Sequence, residues 1–307
     1  MKTYSLFLSL FATVLSFACA QNPTPKKVQI SDDIELHYIE KGKGEPIIFV
    51  HGLCSDYSFW TRQLDGFAKQ GYRAISYSRR YNYPNKNKIG KDHSAIVEAE
   101  DLAAFIKKLG IKKANVVGFS YGAYTTFMLA LKHPELVQTI TLAEPPIAPW
   151  LADLPGDDAE AGKAQLKKLI EQGVKPTQAA FAAGDNDLAL QSMMDAIGGK
   201  GLFQNLPEFV KEKSRQNINE LKAFSISKDR YPDVDREEVR KLSVLTLIIS
   251  GEKSIATSRF SDPELMRLIP EKFREQVIMK DATHIMWVEQ PVKCRQLVLK
   301  FIKENRD

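Results

Sequence analysis

A single serine stands between two glycines in the stretch "ANVVGFSYGAYTTFMLALKH", residues 114–133. The apolar run ahead of it reads as a strand, and the pattern from Tyr121 onward reads as a helix. Gly118-Phe119-Ser120-Tyr121-Gly122 thus has the form G-x-S-x-G at a strand-to-helix turn, the context that makes this motif credible. A serine hydroxyl is a weak nucleophile and has to be presented to a base and a substrate. A sharp turn pushes the hydroxyl out beyond the sheet and forces strained backbone angles at the serine. It also brings strand and helix so close that positions two before and two after have little room for a Cβ. Hence the glycines. The start of the helix adds free N–H groups where negative charge would develop on an attacked carbonyl. Such a serine needs a base, and the chain has five histidines: His37, His51, His93, His133 and His284.

Holding the serine there takes a sheet, and the chain has the pattern of one. Residues 28–42 read as a hairpin turning at Ser31-Asp32-Asp33, and residues 45–52 as a short, continuous apolar strand. An amphipathic helix over 58–71 ends in glycine, and a strand follows over 72–78. A helix spans 93–110, where Ser94 caps it, Leu102, Ile106 and Leu109 share a face, and Gly110 closes it. Next come the strand before Ser120, the helix after it, and a strand over 138–143. From about residue 145 to 242 the alternation gives way to helix-forming sequence punctuated by Gly198, Gly199 and Gly201. It resumes with a strand over 244–251, a helix around 263–268, a strand over 275–280 and a final helix from Pro291. Strands alternating with helices predict an α/β fold, a mostly parallel twisted sheet with helices on both faces. The helical block is an insertion between two strands.

The 307 residues, 44% hydrophobic and 26% charged, suit a soluble globular chain and exclude a disordered or fibrous one. The formal charge of +5 is mild and the basic residues are scattered. The densest run, residues 107–113, reads as a solvated helix end, so no nucleic-acid partner is expected. Residues 1–20 have a lysine, an apolar stretch from Leu6 to Phe17, and Ala18-Cys19-Ala20. This is the pattern of a secretory signal peptide, with cleavage after Ala20. The protein is expected to be exported, periplasmic or secreted. The alternative is a lipoprotein anchored at Cys19, the one route by which a membrane would be involved. Cys54 and Cys294 remain, and export permits a disulfide between them without requiring it. Cys294 shares offsets of 0, 3, 4, 7 and 8 with Leu297, Val298, Phe301 and Ile302, the buried face of a helix. No C-x-x-C or histidine cluster points to a metal, and no phosphate-binding glycine loop points to a cofactor. Arg79-Arg80, at a strand tip, read as loop-anchoring or surface salt bridges, with an anion site as the alternative.

From about Val28 to its end the chain resembles the α/β-hydrolase family, and three motifs besides the Ser120 turn carry the resemblance. In "FVHGLCSDYSFW" a strand ends in His-Gly, which implies that the next residue, Leu53, supplies one oxyanion N–H, with Tyr121 supplying the other. His51 then shapes the loop. In "DATHIMWVEQP" His284 stands where the family carries its catalytic histidine, and His37, His93 and His133 are structural or exposed. The acid departs from the usual pattern. The family's G-x-x-D after the penultimate strand is here Gly251-Glu252-Lys253-Ser254. The preceding strand ends "TLAEPP", however, and haloalkane dehalogenases of this fold include members with the acid at that tip. Glu144 is therefore assigned as the acid, with Glu252 as runner-up and Asp262 and Asp281 behind it.

The resemblance implies a hydrolase core over 21–146 and 243–307 and a helical cap over 147–242. Trp150, Leu151, Phe181, Met193, Met194 and Phe203 pack inside that cap or line a pocket beneath it, and Met286 and Trp287 are further wall candidates. It also implies a cofactor-free serine hydrolase acting on a small carboxylic ester or lactone through an acyl-enzyme. A carbon–carbon bond hydrolase, a haloperoxidase-like enzyme and a non-catalytic ligand-binding protein on the same fold stay open. A serine nucleophile argues against dehalogenase and epoxide hydrolase chemistry, in which that position is aspartate.

Overall fold

The computed structural model describes residues 23–306, so the signal-peptide and Cys19 readings lie outside the described residues. The described residues open with the hairpin of β1 (Lys26–Ser31) and β2 (Ile34–Lys41), then enter β3 (Glu45–Val50). Helix α1 (Thr61–Ala68), strand β4 (Tyr72–Tyr77), helix α2 (Ala95–Lys108), strand β5 (Ala114–Phe119), helix α3 (Tyr121–Lys132) and strand β6 (Val137–Ala143) follow in strict alternation. Next come the inserted helices α4 (Asp158–Lys168), α5 (Lys175–Ala182), α6 (Asn186–Gly198), α7 (Leu202–Asn205), α8 (Glu208–Gln216), α9 (Ile218–Ile226) and α10 (Arg236–Arg240). Strand β7 (Leu245–Lys253), helix α11 (Ala256–Leu268), strand β8 (Arg274–Thr283) and helices α12 (Met286–Glu289) and α13 (Pro291–Glu304) complete the chain.

Among the described residues, eight strands form one sheet in the order β1-β2-β4-β3-β5-β6-β7-β8. The β1–β2 and β2–β4 pairs are antiparallel, and every pair from β4 to β8 is parallel. This is the α/β architecture expected from the alternation. Its central strands separate two cores, because successive side chains of a strand face opposite ways. On β3, Ile48 and Val50 face the core shared with α2 and α3, while Ile47 and Phe49 face the core shared with α1 and α13. Val116 and Val117 of β5 divide in the same way. The chain leaves β3 toward β4 on one side and later returns to β5 on the other. The crevice between β3 and β5 is thus the switch point where open parallel sheets bind ligands.

Two helix boundaries differ from expectation. The segment expected as one helix over 58–71 opens as a 3₁₀ turn, Tyr57–Trp60, because the Asp56 side chain accepts the Ser58 N–H at 2.8 Å and tightens the first turn. Helix α11 starts at Ala256 and runs through Pro263. The proline deprives one carbonyl of its partner, and the buried face formed by Thr257, Ser258, Ser261 and Leu265 keeps the helix continuous.

The inserted helices pack onto the sheet through the first core. Trp150, Met193, Phe203, Leu221 and Phe224 belong to the same apolar cluster as α2 and α3. Trp150, Leu151, Met193 and Phe203 are buried, and Phe181 and Met194 pack against that cluster. Met286 and Trp287 are buried in the other core, Trp287 edge-on to Trp60 at 4.7 Å. Cys54 and Cys294 are buried free thiols, and burial pushes the Cys294 thiol up to about 12.

Candidate active site

Ser120 sits where β5 turns into α3, with φ 54° and ψ −125°. That left-handed backbone is costly for a residue with a Cβ, on the order of 1–3 kcal/mol, and it aims the hydroxyl away from the sheet. A Cβ on Gly122 would lie 2.3 Å from the His51 carbonyl oxygen and 2.4 Å from that of Val50. On Gly118 it would lie 2.5 Å from the Ala123 Cα. Both glycines are therefore steric requirements of the turn. Gly122→Ala meets rigid backbone, so it is expected to destabilise the fold by about 3 kcal/mol, read as a lowered thermal midpoint.

The parallel strands bring other loops to the same edge. Glu144 follows β6, also left-handed at φ 54° and fully buried. Its Oε1 accepts the Gly251 N–H at 2.8 Å, and its Oε2 lies 2.5 Å from His284 Nδ1. His284, just after β8, turns its Nε2 to Ser120 Oγ at 3.0 Å. One line of hydrogen bonds thus runs from carboxylate to imidazole to hydroxyl. Since a carboxylate only accepts, Nδ1 carries the proton and Nε2 presents its lone pair to the serine. The His284 side chain is 16% exposed and Ser120 is half-buried, so the line reaches solvent. Phe119 flanks the imidazole at 5.0 Å and stacks on Phe59.

The other candidate acids lie elsewhere. Glu252 is exposed and accepts the Asp281 N–H, and Asp281 pairs with Lys253 at 3.0 Å. Asp262 is buried against Ser250 Oγ at 2.6 Å, and burial pushes its carboxyl well up. The Ser254 hydroxyl points to the neighbouring Ile255 carbonyl.

The remaining histidines have other partners. His37 meets Asn85, and His133 meets Glu100. His93 is buried and stacks on Tyr121. His51 is sealed in the interior, where burial, together with the Arg79 charge, holds its imidazole down at about 3. Its Nε2 accepts the Arg79 N–H at 3.1 Å, and its Nδ1 lies 2.8 Å from the Gly52 carbonyl. Gly52 lies against Ser120, so the loop entering Leu53 passes beside the serine. Tyr121 opens α3, and its N–H has no carbonyl of that helix to bond.

Arg79 anchors this loop from inside the protein. It pairs with Glu98 of α2 and with Glu220 of α9, all three groups almost wholly sealed from solvent. Burial opposes ionisation of Glu98, yet Arg79 holds its carboxyl down at about 2. Nothing in the sequence around Arg79 points to Glu98 or Glu220 as its partners. A signal for Glu220 existed: Asn217, Glu220, Leu221 and Phe224 share one helical face, so polar groups sit on a buried stripe.

Comparisons with known proteins agree with this architecture. A 3-oxoadipate enol-lactonase of Acinetobacter baylyi is 26% identical over 84% of this chain and 88% of its own length. The bifunctional epoxide hydrolase 2 of Rattus norvegicus is 22% identical over 90% of this chain, which spans only 55% of that relative's length. Among solved structures, a carboxylesterase of Bacillus subtilis superposes with a TM-score of 0.69 at 17% identity, covering 92% of each chain. The family model described as alpha/beta hydrolase fold matches residues 45–291, and the chain belongs to that family.

Proposed function

We propose that this protein is a serine hydrolase of small carboxylic esters or lactones, working through an acyl-enzyme. The observation that carries the reading is the unbroken Glu144–His284–Ser120 line, with an imidazole lone pair 3.0 Å from the hydroxyl. His284 takes the proton as Ser120 Oγ attacks the substrate carbonyl. Glu144 fixes the tautomer and stabilises the charged imidazolium. The N–H groups of Leu53 and Tyr121 receive the oxyanion. His284 then protonates the leaving alcohol, and water repeats the sequence on the acyl group. A serine at the attacking position, where the family's dehalogenases and epoxide hydrolases use aspartate, favours acyl transfer over epoxide opening. The enol-lactonase relative supports including lactones among the substrates.

The test is turnover of p-nitrophenyl esters of graded chain length and of simple lactones by residues 21–307. Intact-mass analysis of the aryl-ester reaction should reveal an acyl adduct on the Ser120 peptide. Folded protein that turns over neither class and carries no adduct would sink the reading. Export belongs to the same proposal. A mature chain starting at Gln21 supports a cleaved leader, whereas a lipidated Cys19 supports the anchored alternative.

A further inference from the structure

The oxyanion donor assigned to Leu53 belongs to a peptide group whose other end is the Gly52 carbonyl. A trans peptide is planar, so the direction of that carbonyl sets the direction of the Leu53 N–H. Arg79 Nη2 donates to the Gly52 oxygen at 3.0 Å, and Arg79 Nε donates to the His51 oxygen at 3.1 Å. The Gly52 carbonyl therefore points at Arg79, and the Leu53 N–H points away from it. On the far side of Leu53, the Cys54 N–H donates to Glu220 Oε2 at 2.6 Å. Cys54 is itself left-handed, at φ 54°, so this loop rests on its hydrogen bonds rather than on backbone preference.

Glu220 belongs to α9, one of the inserted helices, and it grips both ends of this arrangement. Its Oε1 pairs with Arg79, and its Oε2 takes the Cys54 N–H and Asn82 Nδ2, the latter at 2.7 Å. Both oxygens face donors alone, which only a carboxylate satisfies. The start of α9 holds the loop a second time, since Asn217 Nδ2 donates to Asp56 Oδ2 at 3.1 Å.

We propose that Glu220 is a positioning residue for the oxyanion hole: it locks the Gly52–Leu53 peptide through Arg79 and the Cys54 N–H, so the hole is complete only when the inserted helices are docked. The functional part of this inference rests on the serine-hydrolase reading. The mechanical part, that α9 and the 52–56 loop move as one, does not.

The test combines amide exchange with kinetics on residues 21–307. In the wild type, the Cys54 amide should exchange at the same opening rate as the amides of α9. In Glu220→Ala the Cys54 amide, which loses its acceptor, should exchange about tenfold faster or more. The kcat for p-nitrophenyl acetate should fall about 100-fold, the scale of losing one oxyanion donor, with KM changed by less than about threefold. Glu220→Gln keeps the size and keeps one acceptor, which can face Arg79 or Cys54 but not both. It should fall between the two, and it guards against misfolding of the alanine variant. Wild-type loop opening independent of α9, or a folded variant with unchanged kcat and unchanged loop exchange, would overturn the proposal. A wild type with the expected exchange but no turnover and no acyl adduct would refute the hydrolase reading and leave the mechanical coupling standing.

Discussion

Ser120→Ala and His284→Ala are each expected to end fluorophosphonate labelling at residue 120 and to lower ester turnover by roughly 10⁴- to 10⁶-fold. In the proposed mechanism the hydroxyl is the attacking atom, and without the imidazole nitrogen 3.0 Å away it would stay protonated and weak. The two losses should not add. A variant lacking both groups is expected to be about as slow as either alone, because they act as one unit. Residual turnover would come from the N–H groups of Leu53 and Tyr121 and from binding. Mapping the modified peptide by mass spectrometry makes the result specific to this serine. Labelling that persists in folded His284→Ala would mean that another group activates the hydroxyl.

Glu144→Gln is expected to lower kcat by about 10⁴-fold while leaving the fold intact. The glutamine amide has one acceptor and one donor end, whereas both Glu144 oxygens face donors, Gly251 N–H and His284 Nδ1–H. If the amide oxygen stays with Gly251, the NH₂ group donates to Nδ1 and drives the imidazole proton onto Nε2. That is the tautomer unable to take the serine proton. If the oxygen stays with the histidine, NH₂ meets N–H at Gly251. Glu252→Gln serves as the control, since Glu252 is exposed and bonds Asp281 rather than the imidazole, and it should keep wild-type turnover. Unchanged turnover in Glu144→Gln would remove Glu144 from the mechanism.

Local chemistry made much of this legible in the sequence. A glycine two places either side of a serine is a steric statement about one turn, and alternating strands and helices are a statement about one sheet. The departure at Ser254 is informative too, because it is a departure from the family's pattern, and the resemblance to haloalkane dehalogenases with the acid at the next strand tip is what implies Glu144 there. Parallel strands deliver all their tips to one edge, so candidates distant in sequence could be compared at all. What stayed hidden depends on pairing across long separations. Arg79 meets Glu98 and Glu220, the latter 141 positions away, and no local pattern links them. The early start of α11 was hidden for a different reason: a proline is a strong local stop signal, and burial of one helix face overrode it.

The left-handed backbone at Ser120 has a consequence for how such a protein responds to selection. A side chain in that conformation is a standing strain on the order of 1–3 kcal/mol, and glycine would relieve it. Ser120→Gly is therefore expected to melt at a higher temperature than the wild type while being inert. Glu144 shares the conformation but is tied into its surroundings by both oxygens, so the conflict is sharpest at the serine. Directed evolution that rewards heat resistance alone would drift toward a dead protein at residue 120. A library built for thermostability has to hold that codon fixed or screen for turnover in the same round.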